Sequence, residues 1–237
     1  MNPWDAEATR RAIQRVFGRE QLERARPCIR SLSDRQFYAR YHYQRAEQTL
    51  SRYVRAHLQS KDFISVSLGA DPDEWERFNI VIRKLGADLT ACIQSLHALP
   101  DVLASAVYYS LQLDKRFTPC KGRYVNHAFV TECLAQVPEL ASVRAELRAT
   151  VHGPGFRHLA ALANQSKHYS IVFPALNADL TGTRKKQYML LFPEFKSSRA
   201  SFPQALVAEF LPPVHEQLSR GVVLSGHALN EALRVAA

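Results

Sequence analysis

The sequence predicts a mostly α-helical protein, an up-and-down bundle with one small β-hairpin. Three observations carry that prediction. Apolar side chains from Trp75 through Phe78, Ile82, Leu85, Leu89, Cys92, Leu96 and Leu99 to Leu103 recur in alternating steps of three and four, the period of one buried helix face. Asp71-Pro72-Asp73-Glu74 precedes them: a capping Asp, a proline at the first helical position and acids at the positive end of the dipole. Only two short runs, 171–176 and 187–192, have the branched and aromatic content of strands.

The elements follow in order. Residues 5–17 read as a short basic helix stopped by Gly18, and a second helix runs from Arg19 to about Pro27. Ser33-Asp34-Arg35-Gln36 has the form of a capping box and opens a helix bearing Phe37, Tyr41, Leu50, Val54 and Leu58. Residues 61–70 read as a loop, with 63–66 as a short extended piece. The central helix spans 75–113, and Pro100 should kink it. A basic connection over 115–123 leads to helices at 126–136 and 138–150. Gly153-Pro154-Gly155 is a turn into a helix over 156–168; the Lys-Ser/Thr ending of a phosphate loop is missing. The hairpin of 171–176 and 187–192 has Thr181-Gly182-Thr183-Arg184-Lys185-Lys186 at its tip. A helical tail, broken at Pro212-Pro213, runs from Val214 towards Leu233.

One domain over 1–237 is the natural organisation for this length. It divides into Arg-rich N-terminal helices (1–60), a bundle core (71–170), the hairpin (171–195) and C-terminal helices (200–237). No stretch approaches the ~18 apolar residues of a membrane span, and the first residues lack a secretion signal, so a cytoplasmic protein without membrane contact is expected. The four cysteines (28, 92, 120 and 133) form no CxxC pair and read as buried or half-buried thiols in a reducing compartment. Cys120, His127 and Cys133 are too few for a zinc site, and no cofactor is expected.

A net charge of +9 points to anionic partners. Residues 1–60 hold twelve Arg and no Lys against six acids. Arginine's planar fork suits phosphate, while Arg-rich, Lys-poor usage also follows from genome composition. Tyr38, Tyr43 and Tyr53 lie among these arginines. Such a surface can stack bases, and at helical spacing it more often packs the core under arginine stems.

Two polar constellations stand out. Gln94, His97 and Asp101 share one face of the central helix, flanked by Ala87, Thr90, Ala104 and Tyr108, so a partly buried polar strip with a His97–Asp101 pair is expected. Asn164, Lys167 and His168 fall on the last turn of a later helix. There they either satisfy the helix end and its dipole or form a polar seam with the first strip. In that seam His168 would be the acid–base group, Lys167 the clamp on an anion and Asn164 the orienting partner.

The stretches Leu162-Ala163-Asn164-Gln165-Ser166-Lys167-His168-Tyr169 and Gln94-Ser95-Leu96-His97-Ala98-Leu99-Pro100-Asp101 together resemble bacterial HEPN-like helical proteins, particularly members with an Asn-x-x-Lys-His signature. The resemblance covers about a third of the chain. It implies a helical bundle, often a homodimer, whose active members are metal-independent endoribonucleases in defence or toxin–antitoxin settings. RNA or another nucleic acid is the implied partner. In those enzymes an Arg, a polar residue, three variable positions and a His supply phosphate stabilisation and acid–base catalysis. His168 matches the His and Asn164 the polar residue, but Ala163 stands at the Arg position. Arg157 lies about 16 Å along the helix from His168, and Lys167 is a point charge rather than a fork. The resemblance thus fits a ribonuclease, with His97 and Asp101 orienting His168. It fits equally a degenerate relative, or a non-catalytic adaptor that binds nucleic acid or protein through its Arg-rich third.

Overall fold

The computed structural model describes residues 2–58, 63–120, 124–197 and 200–236. It is mostly α-helical with a small antiparallel sheet. The helices are α1 (Ala6–Tyr53), α2 (Phe63–Ser67), α3 (Pro72–Ser110), α4 (His127–Ala135), α5 (Ala141–Ala149), α6 (Pro154–His168) and α7 (Val207–Val235). A π-helical turn, Val54–Leu58, follows α1 directly. The strands are β1 (Ala175–Ala178), β2 (Tyr188–Phe192), β3 (Phe195–Lys196), β4 (Ser201–Phe202) and β5 (Ala205–Leu206). No helix among the described residues is long and apolar enough to cross a membrane.

The chain forms two compact units, each drawn from separate stretches of sequence. The first comprises Met1–Phe37, Leu96–Arg157 and His215–Ala237; the second comprises Tyr38–Ser95 and His158–Val214. Helices α1, α3, α6 and α7 contribute residues to both. Their apolar faces supply buried side chains: Ile13, Ile29, Leu99 and Leu233 in the first unit, Leu50, Leu85, Leu89, Leu159 and Leu211 in the second.

The start of α3 is as its sequence dictates. Asp71 Oδ1 accepts from the amides of Asp73 and Glu74 at 3.1 and 3.2 Å, two donors that a helix start leaves open. The apolar stripe is buried from Leu85 onward, while Trp75 at its head is 48% exposed. The helix ends at Ser110, and a 3-10 turn (Leu113–Lys115) completes the predicted span. Helix α4 is capped by Asn126, whose side chain accepts from the Phe129 amide.

Several predicted boundaries are absent. The N-terminal run is broken only at Gly18, whose φ of 84° belongs to the left-handed region glycine tolerates. The predicted stop at Pro27 and start at Ser33 both lie inside α1. Ser33 Oγ donates to the Arg30 carbonyl within the same helix, an alternative use of a capping side chain. Helix α7 likewise passes through Pro212 and Pro213. A helical proline frees the carbonyl four residues back. Here those carbonyls belong to Glu23, Ala208 and Glu209, all exposed residues, so water can take the lost bonds. The apolar faces alongside, with Ala25, Ile29, Leu211 and Val214 buried, hold each helix together.

The expected extended piece at 63–66 is helix α2 instead. Phe63 and Val66 both join the cluster around Tyr53 and Leu58, and side chains three apart share a side only in a helix. Positions 61–62 of the predicted loop and 121–123 of the basic connection lie outside the described residues. The first hairpin strand begins at Ala175 rather than at 171, because Phe173 and Pro174 instead cover Gly86 of α3. Strand β1 then pairs with β2 from Ala175↔Leu191 to Ala178↔Tyr188. The hairpin belongs to a three-stranded sheet, with β5 on the other side of β2, and β3 pairs separately with β4.

All four cysteines are free; Cys92 and Cys133 are buried and Cys28 half-buried, but Cys120 is exposed, against expectation. Burial pushes the Cys92 thiol up to about 12.

In the first unit, Trp4 Nε1 donates to Thr9 Oγ1 at 2.8 Å, and Thr9 Oγ1 donates to Asn230 of α7. The Trp4 ring lies so close to Gly226 that a Cβ there would meet it at 2.3 Å. Gly226→Ala should therefore displace Trp4 and cost about 1–3 kcal/mol in urea denaturation. A red shift of tryptophan emission should accompany the loss.

Candidate nucleic-acid interface

The polar residues singled out in the sequence take up distinct positions. Gln94, in the second unit, makes the expected approach of α3 to α6: its Nε2 donates to the Ala163 carbonyl at 3.1 Å and to Ser166 Oγ at 2.7 Å. Asn164, Lys167 and His168 share the last turns of α6 in that unit and are exposed, so they do not form the interior seam. His97 and Asp101 belong to the first unit. The His97 ring stacks parallel on Phe156, with centroids 6.2 Å apart. Asp101, itself exposed, accepts from the His127 amide at 2.9 Å through Oδ1, serving the open N-terminus of α4. Ala163, at the Arg position of the ribonuclease pattern, is fully buried.

Sequence reasoning missed the buried charges of the second unit. Asp88 and Glu74 of α3 are 5% and 6% exposed. Asp88 Oδ1 lies 2.9 Å from His42 Nδ1, and its Oδ2 lies 3.2 Å from Arg45 Nε. Glu74 Oε2 lies 3.2 Å from His57 Nδ1. Low numbers on one helix meet high numbers on the other, so α1 and its π-turn run antiparallel to α3. From His42 to His57 is fifteen positions, from Asp88 back to Glu74 fourteen. The π-turn accommodates the extra residue and returns His57 to the face that meets α3. Tyr53 stacks on His57 at 5.0 Å; burial raises its hydroxyl pKa, reinforced by the charge of Glu74.

This clamp leaves another face of α1 outward. Tyr38, Tyr41, Arg45, Gln48, Arg52 and Arg55 follow one another in steps of three and four, and all are exposed. Tyr38 and Tyr41 are 47% and 46% exposed. Tyr41 bonds to Arg45 and, with Asp88 behind it, raises the guanidinium's pKa. The predicted aromatic and arginine mixture is thus divided: Tyr53 is core, Tyr43 half-buried and Tyr38 surface, while Tyr41, expected among the apolar positions of this helix, is surface as well.

Beside this stripe stands the β1–β2 turn. Asp179 accepts from the Thr181 and Arg184 amides at 3.0 and 2.7 Å. The Thr181 hydroxyl foremost, then these amides, holds its carboxyl below the usual range. The turn presents Arg184, Lys185 and Lys186. Arg184 pairs with Glu209 at 3.2 Å, and Lys186 Nζ reaches Glu47 of α1 at 2.9 Å. A groove of about 820 Å³ lies between α1 and the turn, lined by Leu50, Val54, Leu58 and Tyr188 among others.

Among the described residues His158 is the one buried histidine. It is enclosed by Phe195, Phe202 and Phe210 at centroid distances of 5.7, 5.2 and 4.8 Å, which suits packing rather than proton transfer. Among the described residues no group of three or more His, Cys, Asp or Glu side chains is placed to hold a metal ion.

No protein-family model matches the chain, and neither curated proteins nor solved structures give a significant match.

Removing His42 leaves the Asp88 carboxylate buried with Arg45 alone. His42→Ala should cost about 1–3 kcal/mol in chemical denaturation, and Asp88→Asn, which removes the buried charge itself, should cost less. His158 gives a pH dependence. Burial lowers its pKa below 6.5, so the unfolded chain takes the proton first. Its contribution is fully present above about pH 6.5 and is lost as the pH falls through that value towards the folded pKa. His158→Leu should flatten this acid limb in thermal melts recorded from pH 7.5 to 5.

Proposed function

We propose that the chain is a HEPN-like helical protein that binds RNA without cutting it, a degenerate relative of the metal-independent endoribonucleases. The exposed Tyr38–Tyr41–Arg45–Gln48–Arg52–Arg55 stripe carries this reading. Aromatic rings offer stacking to any base, and guanidinium groups on the same side neutralise phosphates. The net charge of +9 favours the encounter. The helical fold, and the approach of α3 to α6 through Gln94, agree with the resemblance. Burial of Ala163 argues against cleavage, because an Arg at that point of α6 would enter packed core instead of reaching substrate. A homodimer in a defence or toxin–antitoxin setting belongs to the same proposal.

One observation favours the enzymatic alternative: Asn164, Lys167 and His168 share a single exposed end of α6. There His168 would exchange the 2′-hydroxyl proton while Lys167 offsets the phosphate charge. Incubation with end-labelled single-stranded RNA separates the two readings. Binding is expected to weaken steeply with salt, and the strand should remain intact. Arg52→Ala with Arg55→Ala should reduce the salt slope by about 2. A flat salt response removes the nucleic-acid reading. Strand scission that disappears in both His168→Ala and Lys167→Ala replaces binding with catalysis.

A further inference from the structure

The groove beside the stripe has a composition that neither packing nor the α1–α3 clamp explains. Its aliphatic floor is formed by Leu50, Val54 and Leu58 of α1 and its π-turn, with Leu180 of the β1–β2 turn also lining the groove. Phe63 and Tyr188 add two rings, 5.8 Å apart and inclined at 59°. A smaller depression of about 190 Å³ adjoins it, bordered by Gln48, Arg52 and Arg55. The two share Glu47, Ser51 and Arg55. Their joint lining thus sets a largely apolar part, edged by Lys186 and Gln187, beside a carboxylate, a hydroxyl and a pair of guanidinium groups. Glu47 does not make the passage repel anions, because Lys186 lies 2.9 Å from it.

A ligand that complements this order has a flat apolar end, a hydroxylated middle and a terminal anion. A nucleotide has that order: base, ribose, phosphate. We infer that the joined depressions hold one unpaired nucleotide of single-stranded RNA. The base lies on the aliphatic floor against Phe63 and Tyr188, the ribose meets Ser51 and Glu47, and the phosphate rests between Arg52 and Arg55. The main depression falls within the size range of small-molecule pockets. A duplex keeps its bases stacked and paired, so it cannot supply this ligand. The inference rests on the RNA-binding reading and adds to it a choice of strand state.

The test compares a uridine decamer, the same decamer paired with its complement, and an abasic decamer of equal charge, each titrated against the full chain. The free decamer should bind more than tenfold tighter than the abasic strand, which loses the base in the groove as well as those on Tyr38 and Tyr41, and the duplex should bind, per phosphate, like the abasic strand. Ser51→Trp places a ring over the floor from an exposed position of α1. It should narrow the gap between the base-bearing and abasic affinities about tenfold, the share of one stacked base, while leaving the salt slope unchanged. Leu180→Glu, at a site 71% exposed, gives a second variant with the same expectation should the first fold poorly. Equal binding of the free and abasic decamers by the wild type overturns the inference, as does a preference that neither variant reduces. If no oligonucleotide binds, the stripe reading fails. Saturable binding of uridine monophosphate, followed by ligand NMR and lost in Ser51→Trp, then decides the groove alone, and its absence overturns that too.

Discussion

Two carboxylates that α3 carries into the second unit, Asp88 and Glu74, govern how α1 lies against it. A carboxylate taken from water must meet a cation or donors, or it is expelled. Each therefore has to face a basic residue of the opposing helix, and His42 with Arg45, then His57, supply that need. Pairing at two separated points sets both the direction and the rotation of α1. With His42 turned towards α3, Tyr41, Gln48 and Arg52 are carried roughly a quarter turn away and Tyr38 about 40°, at about 100° per residue. Exposure of the stripe is thus a consequence of burial elsewhere. Arg45 belongs to both, reaching Asp88 with its Nε while Tyr41 touches it from the outer face.

The small sheet completes the groove's second wall. Strand β2 has partners on both sides, and Leu190 and Phe192 are buried, so its position is secured by packing. Tyr188, the first residue of the strand, therefore stands at a determined place near Phe63. The turn ahead of it would be splayed by its consecutive cations were it unsupported. Asp179 folds it back through two amides and a hydroxyl, while Glu47 and Glu209 take up Lys186 and Arg184. Exposed pairs of this kind add little stability. Their effect here is to keep three basic residues beside α1.

Much of the fold could be read from the sequence because its causes are local. The Asp71-Pro72 start, the apolar period through Leu103 and the Asn126 cap each involve residues within a turn or two of one another. The misread boundaries depend on surroundings. Pro27, Pro212 and Pro213 would break a helix whose freed carbonyls were buried, and here those carbonyls belong to exposed residues that water can reach. Whether residues 63–66 wind or extend is decided by Tyr53 and Phe78, which no local pattern contains. The interface was legible only in part. Tyr38 and the arginines were visible as a mixture, but which rings are outward is decided by the partners of His42 and His57, 46 and 17 residues away in the chain. Asp88 looks like any surface acid in the sequence until His42 stands beside it. The Asn164–Lys167–His168 set was visible for the opposite reason: its members are neighbours on one helix end.

The π-turn links the clamp to the groove. A regular helix continuing from Tyr53 would need either to swing His57 away from Glu74 or to rotate Val54 and Arg55 off the side that faces the β1–β2 turn. Widening one turn by a single residue satisfies both. His57 keeps its contact with Glu74, while Val54 and Arg55 line the groove. The carbonyl of Ser51 also receives Arg55 Nε at 3.3 Å, which draws the guanidinium back along α1 towards Arg52. One inserted residue thus aligns an imidazole with a buried carboxylate, an aliphatic floor and a two-arginine rim. Sequence inspection gives no sign of it, because nothing in Val54-Arg55-Ala56-His57-Leu58 favours a wide turn; the demand comes from Glu74.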